Sequence, residues 1–238
     1  MRIAGFRFQR PCVFLERRSV RGPGIRGPDR AGIAALEEAA GSLLTTPDDD
    51  PPTITAPVLR ERRLDLVRRI DPVNDGRMPQ LLEIVRTLRR AAGPDVPLFA
   101  LVSAPFRSAC MLRGLANLFT DMYDDPGFVT ALVDFCVEPC VAFGRALAEA
   151  GADVVEIGNA SSSSNMISRE AYARFVHPSN RALIAALKAT GITTACTGWL
   201  RQWSRSPSVP WPPWLTMWSS LPIAIARLAH RDPSFGAR

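Results

Sequence analysis

Between residues 79 and 195 the chain alternates helical periods with short apolar runs, and nothing else in it constrains the fold as strongly. Residues 79–92 place Leu81, Leu82, Ile84, Val85 and Leu88 at helical spacing before Gly93, which predicts an amphipathic helix closed by a glycine. Residues 96–102 read as a buried strand. Asp125 and Pro126 form an N-cap and first helical residue for a long helix running to residue 150, where Gly151 stops it. Residues 152–157 are a second apolar strand, with Asp153 and Glu156 at its two ends. Ser168 caps the next helix, which the His177-Pro178 step is expected to interrupt. That helix resumes to residue 190, Gly191 closes it, and residues 192–195 start a third strand.

Strand and helix in turn over so short a stretch imply parallel strands joined by right-handed crossovers, so the class is α/β. Periodicity alone leaves open whether the sheet is doubly wound or closed into a barrel, because both arrangements bury strands on two faces. In either, ligands gather at the C-terminal ends of strands. Those ends are residues 103–105, 158–165 and 196–198, and a small-molecule pocket is expected to be lined by Ser103, Pro105, Asn159, Ser161 and Ser162. A solvated serine loop is the competing account of residues 161–165.

The net charge of +6 invites a nucleic-acid partner until the charge is located. Residues 1–30 carry eight Arg against Glu16 and Asp29, and residues 199–238 carry five Arg against Asp232. The 168 residues between them hold 16 basic and 20 acidic side chains, so the folded middle is acidic and no nucleic-acid surface is expected. No window approaches the roughly 18 apolar residues of a membrane span, and no membrane partner is expected. A cytoplasmic location is the default.

The two ends differ from the middle. All five Trp fall between residues 199 and 218 beside Pro207, Pro210, Pro212 and Pro213, with no helical or strand period. The basic side chains are 28 Arg and a single Lys, a skew expected of GC-rich coding DNA, in which an off-frame reading yields Arg, Pro, Ser, Gly and Trp. Residues 1–44 and 199–238 are therefore read as possible out-of-frame segments flanking a 45–198 domain, with a Pro/Trp-rich partner-docking tail as the alternative. Gly22, Gly24 and Gly27 match a dinucleotide pattern, but no buried strand precedes them. Cys136 and Cys140 share a helix face, where packing as small apolar residues outweighs metal binding. His177 reads as a helix-break residue rather than a ligand.

The runs PPTITAPVL, RIDPVNDGRMPQLLEIVRTLR, PLFALVSAPFRSACMLRG, DDPGF, EAGADVVEIGNASSSSNMISREAYARFVHP and GITTA, in that order, resemble the uroporphyrinogen decarboxylase family over about residues 45–197. That family holds tetrapyrrole decarboxylases and zinc-dependent methyltransferases that move methyl groups between corrinoid proteins and thiols. The resemblance implies a partial (β/α)8 TIM-type barrel, incomplete at both ends. It adds Cys110 and Met111 to the pocket, because Cys110 stands where the family carries a tyrosine before its Met-x-x-Gly element.

What the resemblance implies chemically is decarboxylation of tetrapyrrole acetate side chains, with arginines holding the substrate's carboxylates and no cofactor. The alternatives are a methyltransferase, with zinc and a corrinoid protein partner, and a non-enzymatic binding protein using the Arg/Trp-rich ends. Asn159 and Ala160 replace an acidic residue and a serine at the strand end, residues 1–44 show no segment matching the first strand, and Ala195-Cys196-Thr197 lacks the methyltransferase histidine. No catalytic residue or metal ligand is assigned, and a weakly active or inactive chain is expected.

Overall fold

Three consecutive parallel strands organise the chain: β6 (Leu98–Ser103), β7 (Val154–Gly158) and β8 (Thr193–Thr197), with β3 (Val13–Phe14) added parallel to β6 in the order β3-β6-β7-β8. The computed structural model describes residues 34–45, 53–94 and 97–197, plus the backbone of β1 (Arg2–Ile3), β2 (Phe6–Arg7) and β3; side chains in β1 to β3 and beyond residue 195 lie outside the description. Of the expected out-of-frame ends, residues 34–44 and the backbone of β1 to β3 are described, and the rest lie outside the described residues. A short antiparallel pair, β4 (Leu43–Thr45) with β5 (Thr53–Ala56), completes the strands.

The expected helices and strands are present, each shifted by one or two residues. Helix α1 (Ala35–Ala39) precedes β4, and α2 (Met78–Ala92) leads into β6. Between β6 and β7 lie α3 (Pro105–Arg113), α4 (Leu115–Asp124) and α5 (Pro126–Glu149), where the periodicity had resolved only the last. Gly114, at φ +84°, separates α3 from α4, a left-handed turn that any side chain would strain. The Asp125 carboxylate accepts from the Phe128 N–H at 3.0 Å, and the Ser168 hydroxyl accepts from the Ala171 N–H at 3.2 Å, so both expected caps form.

Two expectations are corrected. Helix α5 is long and apolar enough to cross a membrane by length and composition, against the reading that no window approaches that limit. Its burial gives the physical reason: Leu132, Val133, Cys136, Cys140, Phe143 and Leu147 lie in the core, and the helix packs on α2, α3, α4, the sheet and α7 (His177–Lys188). The His177-Pro178 step does not break the helix either. Residues Arg169–Ala171 (α6) continue into a π-turn at Tyr172–Val176, where the His177 N–H donates to the Tyr172 carbonyl five residues back, and α7 follows directly. Pro178 has no N–H for the turn before it, and widening that turn relieves the ring without ending the helix.

The alternation of β-strand side chains divides the sheet into two faces. Ala100, Val102, Val155 and Ile157 face the helices and belong to the main core. Leu101, Glu156 and Ala195 share the other face in register, with Glu156 8% exposed. At the N-terminal end of the strands, Asp153 accepts from the Leu98 N–H at 2.7 Å and from Arg89, which also donates to the Gly151 and Gly93 carbonyls. Asp153 is thus a fastening between strands, at the end opposite to the one where ligands gather.

A second fastening ties the segment after β5 to α3 and α4. Arg113 donates through Nε to Asp121 at 2.6 Å and through Nη1 to the Leu59 and Arg60 carbonyls, while Arg62 takes the other Asp121 oxygen at 2.8 Å. Burial pushes the Asp121 carboxyl up, but hydrogen bonds from Arg113 and Arg62, with their charges, outweigh it and hold it below the usual carboxylate range. Asp121→Asn leaves a buried guanidinium short of its counter-charge, and urea unfolding at pH 7 is expected to show a loss of about 3–5 kcal/mol. Because the folded value is lowered, this stabilisation is present above pH 3.8 and is lost as pH falls through the lower folded value. The variant's deficit should accordingly shrink in acid.

Candidate functional site at the C-terminal rim of the sheet

The strand register brings the expected pocket residues to one rim. Ser103, the last residue of β6, pairs with Gly158, the last of β7, and the Ala104 N–H donates to the Gly158 carbonyl at 2.8 Å. The chain then leaves β6 as α3, with buried Pro105 as its first residue, and leaves β7 as Asn159 and a 3-10 turn at Ala160–Ser162. Helix α3 packs against that turn, where the Ser161 hydroxyl near the Cys110 thiol partly offsets the rise that burial gives its pKa. Ser162 donates through Oγ to the Asn159 carbonyl at 3.2 Å. Asn159, Ser161 and Ser162 are all buried. Met111 packs, half-buried, against the main core.

The rim also holds a cation that sequence reasoning passed over. Arg107, one turn into α3, donates through Nη1 to the Ser103 hydroxyl at 2.7 Å and is half-buried. An arginine two residues beyond Pro105, at an expected strand end, is the signal that could have found it, because residues just past a strand's C-terminal end line the rim. Thr197 ends β8 beside Gly158, but its side chain and that of Cys196 lie outside the description.

Behind α3 stands a buried acid that no sequence signal marked. Glu37 on α1 is fully buried, and neither carboxylate oxygen has a hydrogen-bond partner. Desolvation raises its pKa; the Arg107 charge pulls the other way, as does the nearby Ser108 hydroxyl, whose geometry makes no hydrogen bond. Its neighbour Glu38 is paired instead with Arg77, with Arg77 Nη2 at 2.8 Å, so two adjacent glutamates in one sequence motif have opposite fates.

The three described thiols are free, buried and held protonated. Burial pushes Cys110 and Cys136 well up and Cys140 up to about 12, so none is a thiolate near neutrality. Cys136 and Cys140 pack within the core, as their shared helix face predicts for small apolar side chains. Among the described residues no three His, Cys, Asp or Glu side chains converge as a metal site requires, so the donors on view do not fit a zinc centre. His177, half-buried, has its pKa lowered by burial and by Arg181. A separate open cleft of about 460 Å³ lies between Ile70–Pro72 and the Phe135–Pro139 stretch of α5, away from the rim.

Comparison with known proteins follows the geometry. The sequence model of a family described as uroporphyrinogen decarboxylase (URO-D) matches residues 30–204. The chain is 29% identical over 164 residues to a methylated-thiol–coenzyme M methyltransferase of Methanosarcina mazei, covering 69% of this chain and 44% of that protein. It is 33% identical over 147 residues to a uroporphyrinogen decarboxylase of Syntrophotalea carbinolica, covering 59% and 42%. A solved methyltransferase from Methanosarcina mazei superposes with a TM-score of 0.62 at 21% identity, over 69% of this chain and 48% of that one, which establishes a shared fold. The chain spans under half the length of these relatives.

The buried acid gives a test of this geometry. A carboxyl whose folded pKa is raised stabilises the fold fully below its unfolded value of 4.5, and that contribution is lost as pH rises through the folded value. Urea unfolding of the wild type and of Glu37→Gln across pH 4 to 8 should show the variant gaining on the wild type as pH rises. Parallel profiles would mean that burial does not raise the Glu37 pKa.

Proposed function

The chain belongs to the uroporphyrinogen decarboxylase family, and from that premise we propose that it binds an acidic pyrrole compound at the rim formed by Ser103, Arg107, Asn159 and Ser161, and turns it over weakly or not at all. The observation that carries this is the Arg107 guanidinium, positioned by Ser103 at the C-terminal end of β6. A guanidinium is the group best shaped to hold a carboxylate by two parallel hydrogen bonds. Decarboxylation of a pyrrole acetate further needs an acid that supports the protonated ring. Glu37 stands on α1 behind α3 rather than on the rim, and its burial, which raises its pKa, disfavours the charged form that such support requires, which supports binding without efficient turnover. The three cysteines whose side chains are described are unpaired, which fits a reducing cytoplasm.

The similarity to coenzyme M methyltransferases favours a second reading, methyl transfer with zinc and a corrinoid protein partner. It needs a zinc ion to activate the acceptor thiol, and among the described residues no three His, Cys, Asp or Glu side chains gather to hold one.

Fluorescence titration of the purified chain with uroporphyrin tests the first reading. Saturable binding is expected, with Arg107→Gln weakening it by about tenfold or more, the scale of one lost charge-assisted hydrogen bond. Failure to bind, or binding indifferent to Arg107, would overturn it. Rapid turnover of uroporphyrinogen would overturn the expectation of weak activity, and one zinc per chain by metal analysis would move the balance to methyl transfer.

A further inference from the structure

The carboxyl of Glu37 sits where a charge has no hydrogen-bonded support. Helix α1 is little more than one turn, too short to be stable alone, so its seat on α3 and α2 keeps it formed. Within that seat Glu37 is fully buried, and neither of its carboxylate oxygens has a hydrogen-bond partner. Arg107 and Ser108 face it from α3, and Cys136 and Cys140 from α5, with Cys110 near Cys136. Arg107 is the charged member of this group, and it donates to Ser103 rather than to either Glu37 oxygen.

The other fastenings of α1 are insensitive to base. Arg77, at the start of α2, holds the Glu38 carboxylate through two hydrogen bonds, and Arg68 donates through Nε to the Ala39 carbonyl at 2.6 Å. A guanidinium keeps its charge at every pH at which proteins fold. The neighbouring thiols stay neutral too, because burial pushes Cys136 well up and Cys140 up to about 12. Glu37 is therefore the group left to change charge as pH rises from acid. An ionised carboxyl cannot stay in an apolar surround without a partner, so either water enters or the group leaves. The five-residue helix that carries it is the smallest piece able to move, and weakly held pieces open before the whole fold does.

We propose that α1 is a proton-operated latch, seated on α3 while Glu37 carries its proton and lifted from it when Glu37 ionises. Lifting uncovers the back of α3 at Ser108, whose hydroxyl lies 4.0 Å from the Cys140 thiol, and so opens the core thiols of α5 to solvent. A rise in pH is thereby converted into exposure of reactive sulfur while the sheet and α5 stay folded. The device needs no ligand and stands apart from the pyrrole reading.

Amide hydrogen exchange of the full wild-type chain, followed by NMR from pH 5 to 9 and corrected for intrinsic exchange, tests the latch. The Ala40 N–H donates to the Leu36 carbonyl and the Ser42 N–H to the Glu37 carbonyl, both at 2.9 Å, so these amides report on α1. The amides of Val133 and Cys136, inside α5, report on the whole fold. Ala40 and Ser42 should exchange about tenfold or more faster than the α5 pair, with protection falling by about tenfold per pH unit above 4.5, the value of an exposed glutamate, because opening releases one proton. Equal protection in α1 and α5 would mean that Glu37 leaves the core only on global unfolding, and a flat α1 profile would mean that opening releases no proton; either overturns the inference. Glu37→Gln should flatten the α1 profile, and a slope that persists in it counts equally against the latch. Pulse alkylation with iodoacetamide at pH 9, located by peptide mass spectrometry, should modify Cys140 about tenfold faster in the wild type than in Glu37→Gln. Equal rates would refute the exposure of sulfur. Should Glu37→Gln fail to fold, the wild-type exchange profile decides alone.

Discussion

Parallel pairing of β6, β7 and β8 is the constraint from which the rest of the structure follows. Strands running the same way cannot be joined by a tight turn, so each connection must travel back along the sheet, and a helix is the economical way to do it. The pairing from Phe99 with Val154 to Ser103 with Gly158 sets where those crossings begin and end. It also covers one sheet face with helices, which is why α5 must be apolar around most of its circumference and why a membrane-like composition here belongs to a core element. The same pairing gathers every strand's C-terminal end at one rim.

Much of this was legible in the sequence, for reasons that can be located. Glycines 93, 151 and 191 and the Asp125-Pro126 step punctuate the chain where helices stop and start, which marked out α5, and short apolar runs marked β6, β7 and β8. Helices α3 and α4 were missed because each spans ten residues or fewer, too short to establish a period, and Gly114 rotates the chain between them. The turn at Pro178 was read as a break because proline's local cost is visible in sequence, whereas a π-turn that absorbs it depends on tertiary packing.

At the rim, strand ends pointed to Ser103, Asn159, Ser161 and Ser162, because position in an α/β sheet is a topological property that patterns reveal. Arg107 needed the start of α3, and therefore a helix boundary that the pattern did not resolve. Glu37 was out of reach for a different reason. Nothing in Ala35-Leu36-Glu37-Glu38-Ala39 tells which glutamate will face the core and which will meet Arg77, since that is settled by the seating of a one-turn helix on α3.

The fork of Arg89 onto Gly93, Gly151 and Asp153 has a consequence for how a family built on this sheet can diversify. It locks β6 and β7 from their N-terminal ends, about five residues, or roughly 17 Å of strand, from Ser103 and Asn159. Mutations at the far end can therefore accumulate without releasing the register that positions them. One lineage can exchange a carboxylate for an amide, or a tyrosine for a cysteine, and inherit an unchanged scaffold. Chemistry and scaffold are thus separable along the same two strands, and relatives can keep this fold while their reactions drift apart.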